Sequence, residues 1–353
     1  MTKPAALITN NVSDYRREPF EMLSREAGVE VLAWADGGIS QLEAAQRVAE
    51  GRYRAVICGL GGRVALPAGY VAARRAKIPF VLWASLWGHP RTPAHALSYL
   101  PLRHIYRHAD AVVTYGPHVS AYVSERRGNH HNVFEAPQAV SAEEFGKHIP
   151  HDLRTHARVQ AGAPADGGFL ALFVGRLEKE KGVRVLLDAW RRADLGDEAV
   201  LALAGDGPLR AEAAKQPPDV QALGFVPRDH LPALYAAADV LVLPSIRTET
   251  FLEPWGLVVN EAMHQGTPVI TSDAVGAARG GLVEDGRNGF VVPQKDPSAL
   301  ATRLRGMAQN AQLRDALGVA ARQDVSRFTY AAWVTGMRQA LAAAGADLAN
   351  GYC

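Results

Sequence analysis

Short runs of aliphatic residues recur along the chain, and the segments between them carry their apolar residues at helical spacing. In the first half Ala5–Thr9, 29–34, 55–60, Phe80–Ala84, 111–115 and 133–136 read as strands, with helices over 20–26, 41–50 and 94–108 among the intervening segments. The second half repeats the scheme with 170–174, 200–204, 220–223, Val240–Leu243 and 269–271. Apolar strands alternating with helices predict an α/β chain with parallel, doubly wound sheets, here in two domains. A polar stretch over 146–168, containing Pro150, Gly162, Pro164, Gly167 and Gly168, reads as the boundary between them. Beyond the strands, Pro297–Gln309, 311–327 and 330–344 read as helices. The last carries Trp333, Val334, Met337 and Leu341 at helical spacing, a stripe suited to core packing. The expected organisation is a first domain over 1–150, a second over 165–327 and a terminal helical segment over 328–353.

Two segments bring charge to strand ends, where ligands of open α/β sheets collect. In the first, Glu253 and Glu261 flank Gly256, which reads as a helix start. The amides of Gly256, Leu257 and Val258 would then converge where the helix dipole favours a diphosphate. Glu261, a turn onward, is placed to accept bonds from ribose hydroxyls, and Glu253, still in the loop, from those of a sugar ring. Taken alone, the two acids fit equally well as solvated residues of a first turn. In the second, the apolar run 172–174 breaks at Gly175 and delivers Arg176 and Lys181. A guanidinium fork and a mobile ammonium can together neutralise a departing diphosphate. In isolation this turn also reads as an ordinary solvated loop.

The order and spacing of motifs narrows these alternatives. Gly175-Arg176-Leu177 with Lys181-Gly182 is followed by Ala204-Gly205-Asp206-Gly207-Pro208-Leu209 and then by Leu223-Gly224-Phe225-Val226-Pro227. After these come Leu243-Pro244-Ser245, the Glu253 to Glu261 element, Ala262-Met263-His264-Gln265-Gly266-Thr267-Pro268-Val269 and the Asp285 to Pro293 turn. This series, covering the second half of the chain, resembles the retaining, nucleotide-sugar-dependent glycosyltransferases of the GT-B fold, in the family called family 4 or group 1.

The resemblance implies two Rossmann-like domains facing a central cleft, with a terminal helix crossing back to the first. It implies transfer of a hexose-type sugar from a uridine diphosphate sugar, or next from a guanosine diphosphate sugar, to a hydroxyl. The leaving diphosphate helps to deprotonate the acceptor, so no protein nucleophile is needed. Arg176, Lys181 and Glu253 take the catalytic positions. Gly175, Trp255, Gly256, Leu257, Val258 and Glu261 belong to the donor site, and Gly224, Phe225 and Val226 to the edge that receives the base. No Asp-x-Asp element follows a strand, so neither a metal nor a cofactor is expected.

The first half departs from the family pattern. The slot where relatives place a sugar-contacting histidine falls near Ser85, while the nearest histidine is His89, so both remain open. In place of a glycine pair after the first strand stands 10–17, including Tyr15 and Arg16, polar enough to meet an acceptor. The Gly59-Leu60-Gly61-Gly62-Arg63 loop is a second acceptor-side candidate, Gly61 and Gly62 permitting close backbone approach. Trp255 replaces the usual phenylalanine, Ala277 a glycine, and Gly281 a frequent glutamate. A catalytically silent nucleotide-sugar-binding partner subunit and a nucleotide-sugar epimerase on the same scaffold are the alternative readings.

With 353 residues, 48% of them hydrophobic and 21% charged, the composition is that of an ordinary globular chain. No apolar run is long enough for a membrane span. Met1 to Thr9 reads as a first strand rather than a signal peptide, which gives an expectation of a cytoplasmic protein. Cys58 lies in an apolar run and Cys353 is terminal, so no disulfide framework is expected. The net charge of +2 conceals a basic region. From Gly51 to Arg127 eleven basic residues stand against Asp110 and Glu125. That excess fits an anionic acceptor, or one presented at the inner face of an anionic membrane. It fits solvated helix faces equally well. Nucleic acid is not expected, because no base-stacking strand or DNA-reading motif accompanies the charge.

Overall fold

The computed structural model describes residues 3–35, 38–62 and 64–346. Arg63 and Cys353 therefore lie outside the described residues. The chain forms two compact units, Met1–Ala139 with Phe328–Cys353, and Val140–Arg327.

The first unit holds β1 (Ala5–Thr9), α1 (Asp14–Ala27), β2 (Val29–Ala33), α2 (Gln41–Ala49), β3 (Ala55–Gly59), α3 (Ala65–Ala76), β4 (Phe80–Ala84), α4 (Pro93–His108), β5 (Ala111–Thr114), α5 (Pro117–Arg127) and β6 (Val133–Glu135). Its parallel sheet has the order β2-β1-β3-β4-β5-β6. Successive strand residues point to opposite faces, so the central strands feed two cores and need unbroken apolar runs. Ala6, Ile8, Val56, Cys58 and Leu82 face Tyr53 and Tyr106. Ala5, Leu7, Ile57, Val81 and Trp83 face Phe20 and Leu23 of α1 together with Trp333, Val334 and Met337 of the terminal helix Tyr330–Ala343. That stripe is core, and its helix packs on α1, β5 and β6.

Helix α1 starts at Asp14, well before the expected residue 20. Ser13, in extended conformation, occupies the N-cap, and Pro19 sits inside the helix. Pro19 interrupts the helical signal in sequence because it lacks an amide, yet Phe20 and Leu23 bury enough surface to carry the helix through it. Tyr15 and Arg16 consequently lie on a first helical turn rather than in a loop.

The second unit holds α6 (Ala142–Phe145), α7 (His151–Gln160), β7 (Phe169–Val174), α8 (Val183–Ala193), β8 (Ala199–Ala204), α9 (Arg210–Ala213), β9 (Val220–Gly224), α10 (Leu231–Ala237), β10 (Val240–Leu243), α11 (Leu257–His264), β11 (Val269–Ser272), α12 (Gly276–Arg279), β12 (Gly289–Val292), α13 (Pro297–Gln309) and α14 (Ala311–Val325). Its parallel sheet runs β12-β11-β10-β7-β8-β9. The division between units falls at residue 139, upstream of the polar 146–168 stretch. Helix α7, within that stretch, packs on α10. Arg158 binds the Ala237 carbonyl at 2.7 Å and Asp239 at 3.1 Å, holding the polar segment to the second unit. Strand β12, inside what the sequence reads as a turn, pairs with β11 along four residues.

Each sheet reverses its winding once. In the first unit the reversal lies between β1 and β3, and in the second between β7 and β10. Loops diverge to opposite faces at such a point and leave a crevice beyond the carboxyl ends of the strands, the usual ligand position in open α/β sheets.

Candidate functional site

The chain leaves β7 at Val174, passes Gly175 and Arg176, makes a 3₁₀ turn over Lys179–Lys181, and enters α8 through Gly182. Gly182 has φ of 73°, and a Cβ there would stand 2.0 Å from the Pro244 carbonyl oxygen. Only glycine allows this approach. It brings the loop after β7 against the loop after β10, where the Ile246 amide also donates to the Glu180 carbonyl at 2.8 Å.

Lys181 is thereby delivered to Glu253. Its Nζ donates to Glu253 Oε2 at 2.5 Å, and Ser245 Oγ reaches the same oxygen at 3.1 Å. The side chains of Lys181 and Glu253 are 15% and 8% exposed. Lys181 also stands 5.3 Å from the centre of the Phe251 ring. The Glu253 carbonyl accepts from the Gly276 amide at 3.1 Å, which fixes the loop against the start of α12.

Gly256, with φ of 96°, leads into α11. A Cβ on it would meet the Leu243 side chain at 2.6 Å, so the turn lies flat on the end of β10. The Val259 amide is taken by the Gly256 carbonyl at 3.0 Å. Gly256, Leu257 and Val258 are half-buried, whereas Val259 to His264 are buried. Trp255 is 3% exposed, and its indole donates to Asn260 Oδ1 at 2.7 Å. The indole thus braces the helix from beneath.

Glu261 is buried and accepts from the Tyr235 hydroxyl at 2.6 Å. Burial pushes its carboxyl up to about 7, an effect that the Tyr235 bond and the Arg228 charge partly offset. The two acids therefore sit in different environments, Glu253 beside an ammonium and Glu261 beside a phenol. Arg176 is elsewhere engaged: its side chain is 62% exposed and binds Glu178 at 2.8 Å, with Glu180 at 4.0 Å. In the free protein the two cations expected to meet a diphosphate therefore rest on different acids, Arg176 on Glu178 and Lys181 on Glu253.

Gly224 turns the chain at φ of 71°, after which Phe225 is 76% exposed. Leu223, Phe225 and Val226 line a cavity of about 450 Å3 whose opposite wall is α7 and α10, and no residue of the Lys181 and Glu253 cluster lines it. A larger cavity, about 680 Å3, includes Asp239 and Pro268. These precede β10 and β11, so it lies at the amino ends of the strands, opposite the end where ligands of such sheets bind.

In the first unit Tyr15, Arg16, Gly61 and Ser85 line a single cavity of about 280 Å3. Gly62 and His89 do not. A Cβ on Gly62 would strike Gln41 Oε1 at 2.8 Å, and this oxygen accepts the Val64 and Ala65 amides that start α3. His89 stands edge-on to Tyr99, with ring centres 5.1 Å apart. Of the two candidates for the histidine slot, Ser85 lines this cavity and His89 does not.

Several arginines of the basic region are occupied by structure. Arg54 binds four backbone carbonyls, Arg74 pairs with Asp110, and Arg127 binds the Tyr106 and Ala109 carbonyls. Arg75 and Lys77 on and after α3, and Arg91 before α4, are exposed. Among the described residues no group of three or more His, Cys, Asp or Glu is placed to hold a metal ion, and no helix is long and apolar enough to cross a membrane.

Sequence reasoning missed Tyr235 and Asn260 and gave Ser245 no role. Tyr235 and Asn260 sit in helices rich in apolar residues, where a buried polar atom requires a partner; that requirement is the available signal.

Residues 157–324 match the model of the family described as glycosyl transferases group 1. The chain is 33% identical over 178 residues to the sulfoquinovosyl transferase of Arabidopsis thaliana, 48% of this chain and 32% of that protein. It thus spans about a third of that relative's length. The crystal structure of Anabaena HepE in complex with UDP superposes with a TM-score of 0.74 at 22% identity, covering 97% of this chain and 100% of that one. That likeness establishes the GT-B architecture of two Rossmann-like units. With the D-inositol 3-phosphate glycosyltransferase of Streptomyces scabiei the match extends to both units, 30% identical over 346 residues, 88% of this chain and 72% of that enzyme. The family match in the second unit and this near full-length relative agree: the chain belongs to the glycosyl transferases group 1 family.

Proposed function

We propose that the chain is a retaining glycosyltransferase that moves a hexose-type sugar from a uridine diphosphate sugar to a hydroxyl acceptor without a metal ion. The observation that carries this reading is the Lys181, Glu253 and Ser245 cluster beside the start of α11, at the winding reversal of the second sheet. HepE, structurally similar, holds UDP in its crystals. A guanosine diphosphate sugar is the second choice of donor.

In the proposed reaction the bond from the anomeric carbon to the β-phosphate oxygen breaks, and the acceptor oxygen bonds to the same face of that carbon. The acceptor proton passes to the departing diphosphate. Negative charge grows on the leaving group, where Lys181, the amides opening α11 and a reoriented Arg176 would meet it. Glu253 serves the sugar hydroxyls and Glu261 the ribose. The exposed Phe225 and the half-buried Val226 receive the base.

The acceptor is met by the first unit, through Ser85, Tyr15, Arg16 and Gly61. We infer a cytoplasmic site of action and, for a lipid-borne acceptor, the inner membrane face. What supports the membrane reading is α4, where Leu97 and Leu100 are 82% and 68% exposed on the helix that carries Arg103 and Arg107.

The test is release of UDP from UDP-sugars in the presence of chelator, with anomeric configuration followed by NMR. Product of inverted configuration would overturn retention. UDP binding without turnover of any donor would favour a silent binding subunit.

A further inference from the structure

Arg16 is a buried cation. It is 6% exposed, and among the described residues no carboxylate is paired with it. The neighbouring acid in sequence, Asp14, is 76% exposed and turned to Arg17 at 3.6 Å. Arg16 Nη2 donates to the Tyr115 hydroxyl at 3.2 Å and to Gln138 Oε1, both neutral acceptors. The guanidinium stands 4.6 Å from the Trp83 ring centre, 5.0 Å from Tyr15 and 5.6 Å from Trp333. Aromatic faces stabilise a cation in part, but a charge removed from water without a counter-ion remains costly. A guanidinium has five N–H donors, and among the described residues those on Nε and Nη1 meet no hydrogen-bond acceptor.

The cavity that Arg16 lines lies between the ends of β1 and β3, the winding reversal of the first sheet. Its volume, about 280 Å3, is near the lower end for small-molecule pockets and admits a molecule the size of a monosaccharide. Asn10, Asn11 and Ser85 add neutral polar groups to the wall.

We infer that this cavity binds a small hydroxylated acceptor through a compact oxyanion, phosphate or carboxylate, with Arg16 as the counter-ion. The inference rests on the glycosyl-transfer reading for the word acceptor. The oxyanion supplies the missing charge and engages the planar fork on its remaining edge, while the aromatic faces exclude water from the pair.

Trp83 and Trp333 flank Arg16, so intrinsic fluorescence reports on the cavity. The titration is done with saturating UDP, which occupies the second unit, and compares inorganic phosphate, acetate, glycerol phosphate and glycerol. Saturable changes with at least one oxyanion and with glycerol phosphate, and none with glycerol, are expected. R16Q should weaken glycerol phosphate by about ten- to a hundredfold, with UDP affinity unchanged. Vesicles of phosphatidylglycerol run in parallel separate a lipid headgroup from a free phosphate ester as the source.

A wild-type protein that binds UDP yet ignores every oxyanion overturns the inference, and this arm stands whether or not R16Q folds. Equal affinity of a folded R16Q also overturns it. Absent UDP binding in wild type would instead count against the glycosyl-transfer reading, and the R16Q comparison would still decide the cavity.

Discussion

Lys181 and Glu253, seventy-two positions apart in sequence, meet at 2.5 Å where the loops after β7 and β10 touch. Each supplies the other's counter-charge in a setting where neither is well hydrated. Truncating one partner of a buried pair leaves an uncompensated charge, at a cost of about 3 kcal/mol or more. Lys181→Met is therefore expected to lower thermal stability and to abolish UDP binding. Glu253→Gln keeps an acceptor for Lys181 and Ser245, so it should spare UDP binding while lowering turnover. Denaturant unfolding and calorimetry on both variants check this. A Lys181→Met protein as stable and active as wild type would show that the pair is neither structural nor catalytic.

Arg176 starts from a different position, exposed and bound to Glu178. Its proposed contribution requires it to leave that acid for the developing diphosphate. Loss of a charge aimed at a developing anion costs about 3–4 kcal/mol in the transition state. Arg176→Ala should accordingly reduce kcat by two to three orders of magnitude with little effect on stability, because an exposed pair is worth about 1 kcal/mol at most. Near-full turnover would identify 175–182 as a solvated loop that only positions Lys181.

The strands were legible because both sheets are parallel and covered on both faces, which demands continuous apolar runs such as Phe80–Ala84 and Val240–Leu243. Helix α1 was misread at its start because Pro19 masks the pattern, and β12 because the turn residues Asp285 to Asn288 dominate its surroundings. Within the site, the glycines and charges were visible as motifs, since backbone approach and charge leave few choices of residue. The partners were not. That Lys181 meets Glu253, that Glu261 meets Tyr235, and that Trp255 turns inward to Asn260 depend on contacts between distant segments. The same holds for the basic region, where composition counts Arg54 and Arg127 as surface charge although they bind backbone carbonyls.

His264, at the end of α11, is 8% exposed, and burial lowers its imidazole to about 4. Between pH 6.5 and 4 the unfolded chain binds a proton that the folded chain does not, so stability falls as pH drops through that window. The loss is on the order of 3 kcal/mol. His264→Leu should flatten this part of the stability profile, measured by urea unfolding at pH 7, 5.5 and 4.5. A slope identical to wild type would place the acid sensitivity in other groups.

Leu97 and Leu100 offer the membrane reading a direct test. Their exposure on a helix that also carries arginines fits insertion at an anionic surface, where each basic residue adds about 1 kcal/mol. Co-sedimentation with phosphatidylglycerol vesicles is expected at low salt, and L97S/L100S should abolish it without altering UDP binding. Equal binding to neutral vesicles would assign the attraction to apolar contact alone, and no binding to either would leave a soluble acceptor.

The proposed ribose contact of Glu261 predicts a pH dependence of donor binding in a direction that its surroundings determine. Its carboxyl is raised from 4.5 to about 7, principally by burial. Between those values the folded chain holds a proton that the unfolded chain has released, so in the free protein Glu261 favours folding at low pH and loses that contribution as pH rises to 7. A ribose whose hydroxyls donate to Glu261 favours the ionised form. Binding must then expel the proton, and affinity should rise by about tenfold from pH 6 to pH 8. The ligand to use is an intact UDP-sugar, whose diphosphate diester keeps one charge state across this range. Calorimetry in buffers of different ionisation enthalpy should register nearly one proton released at pH 6 and almost none at pH 8. Glu261→Gln, which accepts similar hydrogen bonds without titrating, should bind with the same affinity at both values. A wild-type affinity independent of pH, with no proton release at pH 6, would mean that the ribose does not bind Glu261 and that its bond to Tyr235 serves the packing of α10 against α11.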